Sequence, residues 1–530
     1  MGGIGGQIRM QPPCNNNFKI PYHLCNQLSL SGFMDREEDT SISKKDILFT
    51  HSYFYKFDSK QWERKMPFPP LGTICAASHL RENSYSVALF DTALKTDPDE
   101  IKDYLEKHSP RYLVVYDDGF NYLTKMCLTN MREAAFKMIQ YAKEANCTVI
   151  VNSSDSTDHF EKFLDKGADY VIKGEGENAL LELINTLENN GSIASVSSIT
   201  YKKNKELINQ AIRPVLKELD SLPLPAWDLI DIKPYKKEWQ EGDKPFTLNI
   251  ATTRGCPFKC NWCAKPIYGN RYNSHSPEYI VKLIKMLQEK FEVKRFWMCD
   301  DIFGLKPNWV QEFNALIKKE NLFFKYYIQS RADLLLVEDT IDALAESGLE
   351  EAWIGAESGS QKILDAMDKG TTIKQIEDAT QLLKMKKIRV GFFIQYGYLG
   401  ENQKDVKKTI KMIKTLLPDD LGISVSYPLP GTPFFEKVKS ELGSKENWED
   451  SDELAMLFNG TYYSKYYKKL HRYTHKEYRV SKGFQSLRNL FTFANKSRLM
   501  QLKSIASLLY YIPLTWLDKM TLSRLQKRNG

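Results

Sequence analysis

Thr247-Leu248-Asn249-Ile250-Ala251-Thr252-Thr253 runs through Arg254 into Gly255-Cys256-Pro257-Phe258-Lys259-Cys260-Asn261-Trp262-Cys263. The first segment is apolar, β-prone and of strand length. The second sets three thiols at C-x-x-x-C-x-x-C spacing, with a glycine and a proline that let the backbone turn tightly enough for the sulfurs to converge. Structural zinc takes four protein ligands. The nearest further ligand is His275, and nothing near it completes a zinc-ribbon pattern. Three cysteines suit a four-iron cluster with one iron left without a protein ligand, where a small molecule can bind and react. A zinc knuckle or an accidental cysteine group remains the alternative at this point.

Downstream of this strand the β/α alternation continues to about residue 437. Strand-length apolar runs fall at 247–253, 294–299, 325–329, 351–355, 389–395 and 422–427, with helical patterns at 277–290, 307–319 and 373–386. Six such units predict a partial (βα)6 TIM-like barrel over 246–440, with right-handed crossovers and chemistry at the carboxyl ends of the strands. Polar residues stand at those ends. Asp300-Asp301 follow the second strand, Ser330-Arg331 the third and Glu357-Ser358 the fourth; Gln395 closes the fifth, and Tyr427-Pro428-Leu429-Pro430-Gly431-Thr432-Pro433 follows the sixth.

Upstream, runs at 46–51, 85–91, 112–116, 148–152 and 170–173 alternate with helical patterns at 71–81, 131–145 and 177–189. This predicts a doubly wound, Rossmann-like parallel sheet over 46–190. A hairpin at 194–210 and a proline-stiffened linker, Leu222-Pro223-Leu224-Pro225-Ala226-Trp227-Asp228, fill 191–245. Ligands bind such sheets at the strands' carboxyl ends. Here those ends carry His51-Ser52-Tyr53, Asp117-Asp118-Gly119, Asn152-Ser153-Ser154-Asp155 and Gly174-Glu175-Gly176-Glu177. Residues 1–45 lack periodicity and read as a loose leader.

Cys256, Cys260 and Cys263, with Trp262 before the third cysteine, resemble the signature loop of the radical S-adenosylmethionine family. The resemblance implies that the three thiols hold a [4Fe-4S] cluster whose open iron chelates S-adenosyl-L-methionine. One electron then cleaves the sulfonium and releases a 5′-deoxyadenosyl radical. It further implies that Asp300 and Asp301 meet the cofactor's ammonium group and that Arg331 pairs with its carboxylate. Glu357 and Ser358 are then expected at the ribose hydroxyls, and Tyr427 to Pro433 at the adenine with Trp262 packed near it; Gln395 completes the cofactor set. Tyr396-Gly397-Tyr398-Leu399-Gly400-Glu401 resembles the family's proline-glycine-glutamate turn, with Leu399 in place of proline.

The upstream domain is similar to the cobalamin-binding domain of one large class of these enzymes. Pro69-Pro70-Leu71-Gly72 and Gly174-Glu175-Gly176-Glu177 carry the likeness, and the implied cobalamin contacts are Pro70, Gly72, Ser153, Gly174 and Gly176. The D-x-H-x-x-G motif, which supplies a cobalt ligand in several cobalamin enzymes, is absent.

The chain has 530 residues, 42% hydrophobic and 27% charged, the composition of a soluble globular protein. No apolar stretch reaches the length of a membrane span, and Met1 to Gly6 lacks the order of a secretory signal, which predicts a cytoplasmic protein. Nine cysteines, six of them scattered singly, are no disulfide framework. The net charge of +7 is uneven: residues 461–530 carry fifteen Lys and Arg against Glu477 and Asp518, a balance of +13 that leaves −6 elsewhere. That basic, tyrosine-rich region, 441–530, is predicted mainly helical. Its apolar stretch from Ile505 to Leu517 reads first as a core helix of a helical cap; the flanking Lys503 and Lys519 also suit peripheral contact with a membrane surface. Nucleic acid is not the expected partner, since no RNA-binding barrel follows the core.

Two functions are weighed. The first is a radical enzyme acting on a small-molecule substrate with a flavodoxin- or ferredoxin-type electron donor. Its reaction is cobalamin-dependent methylation of an unactivated carbon, or else oxidative cyclisation of a large anionic substrate, as in the anaerobic magnesium-protoporphyrin ester cyclases. The second is a non-catalytic iron–sulfur or cobalamin-sensing module.

Overall fold

The computed structural model describes residues 45–120, 129–442, 456–490 and 498–527, and the expected leader lies outside them but for Lys45. The first sheet is built from β1 (Ile47–Thr50), β2 (Val87–Phe90), β3 (Tyr112–Tyr116), β4 (Thr148–Asn152) and β5 (Tyr170–Ile172), followed by a hairpin of β6 (Ile199–Lys203) and β7 (Glu206–Asn209). Its order is β2-β1-β3-β4-β5-β6-β7. The first five strands pair in parallel, whereas β6 runs antiparallel to β5 and β7 antiparallel to β6.

The short apolar runs become strands buried on both faces, as parallel sheets require. Leu48, Leu113, Val115, Val149 and Val151 join one core, and Ile47, Phe49, Val114, Tyr116 and Ile150 the other. Helices Leu71–Glu82, Thr129–Glu144 and Glu177–Glu188 fall where the 3.6-residue pattern puts them. The hairpin expected as a separate connector instead extends the sheet, making it mixed.

The segment expected as a plain linker holds a helix, Ile232–Glu241. Pro234 lies in its first turn, where a missing N–H costs nothing. Tyr235 and Trp239 are buried, and their polar atoms reach into the first domain: Tyr235 Oη donates to Asp91 at 2.7 Å and Trp239 Nε1 to the Pro67 carbonyl at 2.8 Å.

The second sheet contains β8 (Leu248–Ile250), β11 (Arg295–Met298), β12 (Lys325–Ser330), β13 (Leu349–Glu357), β14 (Arg389–Tyr396) and β15 (Asp420–Val425), all parallel and in chain order. A two-stranded ribbon of β9 (Thr253–Arg254) and β10 (Asn273–Ser274) interrupts that order after β8. One face of the large sheet is closed: Tyr326, Ile328, Ile354 and Phe392 are fully buried in one core with helix residues such as Phe313 and Leu383. Along the other face Tyr327, Gln329, Trp353, Gly355 and Phe393 stay half-buried. Alternate residues of each strand therefore serve two surfaces, one packed by helices and one open to a ligand.

Both sheets belong to one compact unit, Ser43–Gly530. Segment 67–70 of the first domain wedges beside β8 and β11. Phe68 lies 4.8 Å from the Trp297 ring, and Asn249 Nδ2 donates to the Pro69 carbonyl at 3.0 Å. The C-terminal region is helical as expected, with Ser464–Leu490 packed against Arg498–Lys527. No helix among the described residues is long and apolar enough to cross a membrane.

Candidate functional site

The cysteine loop begins where β8 ends, and Asp300, just beyond β11, fastens its root. The Asp300 carboxylate accepts from Thr252 N (2.7 Å), Thr252 Oγ1 (2.5 Å) and Thr253 N (2.8 Å). Burial pushes its acid up to about 7, against the pull of these donors. The β9–β10 ribbon closes the loop's stem. Gly255 has φ +77° at the stem's exit, and a Cβ there would meet the Arg271 carbonyl oxygen at 2.4 Å, so no other residue fits without displacement.

Cys256, Cys260 and Cys263 are free and half-buried in this loop. Burial raises the Cys256 and Cys263 thiols, Cys263 to about 12, with Asp301 and the neighbouring cysteines adding and Lys265 opposing. A bound cation supplies the positive charge that such buried sulfurs need to ionise. Asp301 is exposed, with its charge bearing on two of the three sulfurs.

Asn261, between the second and third cysteines, is the hub of the loop and is buried. Its backbone N–H donates to Met367 O at 3.1 Å and its carbonyl accepts from Phe434 N at 2.9 Å. Its side-chain Nδ2 donates to Ala366 O at 2.7 Å and Asp368 Oδ2 at 3.1 Å, while Oδ1 accepts from Tyr398 Oη at 2.5 Å. One amide thus ties the loop to the segment after helix Gln361–Ala366, to the turn after β14 and to helix Pro433–Leu442. Phe258 is held by Arg331, whose guanidinium carbon lies 3.7 Å from the ring centroid.

His275 follows the β9–β10 ribbon and is buried. Its Nδ1 pairs with Asp220 at 2.9 Å and its ring stacks on Tyr279 at 4.0 Å. Among the described residues no three His, Cys, Asp or Glu side chains are grouped around a single metal position. The three cysteines share this one loop, and three thiols at this spacing suit a cluster with one iron left without a protein ligand. Cys299 sits in the core, its thiol donating to Ile250 O at 3.2 Å.

The strand-end residues expected around S-adenosylmethionine divide into two sets. Three have other work. Asp300 anchors the loop root, as described. Arg331 donates to Asp333 (2.9 and 3.0 Å), Lys369 O (2.6 Å) and Gly370 O (3.3 Å), so its fork is filled by the chain and not held open for a carboxylate. Ser358 is fully buried, its hydroxyl between Thr409 Oγ1 at 3.2 Å and Ser360 N at 3.2 Å.

The second set points into the site. Glu357 ends β13 in a left-handed conformation, φ +53°, where the pairing with β14 slips. Its carboxylate accepts from buried Lys369 at 2.8 Å. Burial works against the Lys369 ammonium, but the charges of Glu357 and Cys260 outweigh it and hold it above the ordinary lysine value. Gln395 Oε1, Ser426 Oγ and Trp262 Nε1 are buried polar atoms without a protein partner. Gln395 and Ser426 lie on adjacent ends, since Ser426 N donates to Tyr396 O at 2.7 Å. Orphaned polar atoms at the carboxyl edge of a parallel sheet fit a polar ligand. Tyr427 follows directly on them. Glu401 caps its turn by accepting from Gly397 N at 2.6 Å, and burial pushes its acid up to about 8. Asn261 and Lys369 escaped sequence reading, because their partners are distant in the chain.

Of the five expected cobalamin contacts, two glycines lie in close contact with their own chain. A Cβ on Gly72 would meet Asp118 Cα at 3.1 Å, and one on Gly176 would meet Tyr116 at 2.8 Å and Asn152 at 2.9 Å. Gly174 lies under the Ile267 carbonyl, Ser153 caps a helical turn in a reciprocal pair with Ser156, and Pro70 caps helix Leu71–Glu82. At Gly72 and Gly176 the missing Cβ allows close approach of chain to chain.

Glu175 and Glu177 instead grip the cysteine loop. Arg254 donates to Glu175 at 2.6 Å and to Glu177 at 2.8 Å, with all three side chains at most 9% exposed. Its guanidinium also lies 5.5 and 5.4 Å from the rings of Phe120 and Tyr268. The acidic motif of the first domain is therefore joined to the residue two places before Cys256.

The radical SAM superfamily model matches residues 250–413. The chain is 28% identical to an uncharacterized methyltransferase of Pyrococcus horikoshii over 72% of this chain and 81% of that one. It is 25% identical to the anaerobic magnesium-protoporphyrin IX monomethyl ester cyclase of Synechocystis, over 70% of this chain and 73% of that one. Among solved structures it resembles the radical S-adenosylmethionine methyltransferase TsrM of Kitasatospora setae, which holds cobalamin and a [4Fe-4S] cluster. The TM-score is 0.63 at 15% identity, covering 76% of each chain. Residues 250–413 are a radical SAM domain, and the protein is a radical SAM enzyme.

Proposed function

We propose that the protein cleaves S-adenosylmethionine reductively at a [4Fe-4S] cluster held by Cys256, Cys260 and Cys263, and that it methylates an unactivated carbon of a small molecule with the help of cobalamin. One observation carries the first part: three free thiols share one half-buried loop at the carboxyl edge of a parallel sheet, where the buried polar atoms of Gln395, Ser426 and Trp262 lack protein partners. In this reading the sheet curves as a partial (βα)6 barrel, and Gln395, Ser426 and Trp262 receive the nucleoside end of the cofactor. Asn261 and Arg331 keep the loop in register, and Lys369 balances charge beside Cys260. When bound, cobalamin supplies a methyl group that a carbon radical can accept.

The likeness to TsrM and to a curated methyltransferase supports methylation. The half-buried aromatic face formed by Tyr327, Trp353 and Phe393 suits an apolar substrate, and with the resemblance to the cyclase it favours oxidative ring closure as the second reading.

The test is anaerobic reconstitution with iron and sulfide, then addition of S-adenosylmethionine, a low-potential donor and cell extract as substrate source. We expect 5′-deoxyadenosine, with S-adenosylhomocysteine accumulating if methyl transfer is the outcome. Cys260→Ala is expected to lose both the brown cluster absorbance and cleavage. Cluster-loaded wild-type protein that makes no 5′-deoxyadenosine refutes the reading.

A further inference from the structure

We propose that the Arg498–Lys527 helix docks the enzyme on an anionic membrane surface. The helix faces the Ser464–Leu490 helix with Leu508, Thr515, Asp518 and Leu522, all buried. Asp518 is gripped there by Lys469 at 2.5 Å and Lys476 at 2.8 Å. Leu509, Ile512, Trp516 and Leu517 are exposed by 84, 44, 63 and 47%, and Tyr510 beside them by 65%. Their spacing, with Pro513, is i, i+3, i+4, i+7 and i+8, a single stripe. The helix thus packs two leucines, an acid and a hydroxyl against its own protein and still leaves a row of large apolar side chains outward, where an ordinary surface helix is polar.

Charge decides what covers this stripe. Lys519 and Arg524 continue it at helical spacing and are exposed. On the neighbouring helix, exposed Lys465, Arg472 and Arg479 form a row at seven-residue spacing, and Arg479 bonds Tyr511 next to the stripe. Both acids of residues 461–530 are already matched, Asp518 by two lysines and Glu477 by Lys414 at 2.6 Å. A second copy of this chain would set an excess of +13 against another +13. Anionic headgroups over acyl chains meet both the stripe and its basic rim, with Trp and Tyr at the interfacial depth they prefer. The helix does not span a bilayer, so it lies in the plane of the surface.

The experiment is flotation of the intact anaerobic protein with phosphatidylcholine vesicles, with and without about one third phosphatidylglycerol. Binding is expected to the anionic vesicles and to weaken with salt. L509S/W516S is expected to weaken it by about tenfold or more, since each side chain withdraws a full apolar contact. It should leave circular dichroism and 5′-deoxyadenosine formation unchanged. K519E/R524E, which keeps the apolar stripe, is expected to weaken the preference for anionic lipid by about tenfold or more and covers the case in which L509S/W516S misfolds. Equal binding to neutral and anionic vesicles, or binding indifferent to both variants, overturns the proposal. So does concentration-dependent dimerisation that L509S/W516S removes, or binding of single-stranded nucleic acid that competes with the vesicles and ignores the apolar substitutions.

Discussion

Removing the Arg254 guanidinium probes how the two domains are joined. In the wild type, burial alone would raise Glu177, but Arg254 outweighs it and holds the carboxyl below the usual glutamate value; Glu175, where burial prevails, sits above it. Arg254→Met leaves two carboxylates buried without a cation, and breaking a buried pair in this way costs about 3–5 kcal/mol. At about 2–4 °C per kcal/mol for a domain of this size, melting should fall by roughly 6–20 °C near neutral pH. The dependence on pH carries the diagnosis. Wild-type Glu177, depressed in the folded state, contributes stability above its unfolded value near 4.3 that is lost as pH falls. In the variant both carboxyls are raised, so folded protein holds protons that the unfolded chain has released, and stability declines as pH rises. The deficit should therefore be larger at pH 8 than at pH 5, by about 1.4 kcal/mol for each unit of carboxyl shift. Anaerobic thermal denaturation of apo-protein across pH measures this, and iron content after reconstitution reports whether the loop still assembles. E175Q/E177Q added to R254M should restore most of the loss. A deficit under about 1 kcal/mol, or one indifferent to pH and to the added amides, would show that the triad is not a joint between domains.

Asn261→Ala breaks three side-chain hydrogen bonds in the hub and should cost about 2–4 kcal/mol, read as a lower melting temperature and iron loading well below the wild type. Asp300, whose folded acid is pushed up to about 7, should make stability fall as pH rises between about 4 and 7, and Asp300→Asn should flatten that slope; equal slopes count against the assignment. Lys369→Met strands Glu357 beside the sulfurs and is expected to slow S-adenosylmethionine cleavage by about tenfold or more with iron content retained. Unchanged kcat and KM would remove Lys369 from the site.

The strands were legible because a buried parallel strand leaves a short apolar run, and 112–116 and 148–152 coincide with β3 and β4 to the residue. The β9–β10 ribbon was not, since two-residue strands have no period to read. Helix Ile232–Glu241 hid behind Pro234 and the linker prolines before it. At the site, the cysteines announced themselves because their chemistry is local. Asp300, Arg331 and Ser358 stand at strand ends as expected, yet position does not tell a residue that touches a ligand from one that holds a loop. Their partners in the folded chain, Thr252, Asp333 and Thr409, could not be read from the sequence. Gly72 and Gly176 carried a similar ambiguity: a missing Cβ admits a flat ligand or a neighbouring side chain equally well, and here it admits Asp118 and Tyr116.

The Arg254 joint bears on how the chain is made. Glu175 and Glu177 leave the ribosome 79 and 77 residues ahead of their partner, and N-terminal domains tend to fold first during synthesis. When the cysteine segment emerges, its docking post already stands. The strands of the second sheet then add in the order of translation, each beside the one before, so the nascent chain lays the sulfur-bearing loop onto a finished floor and builds the walls around it.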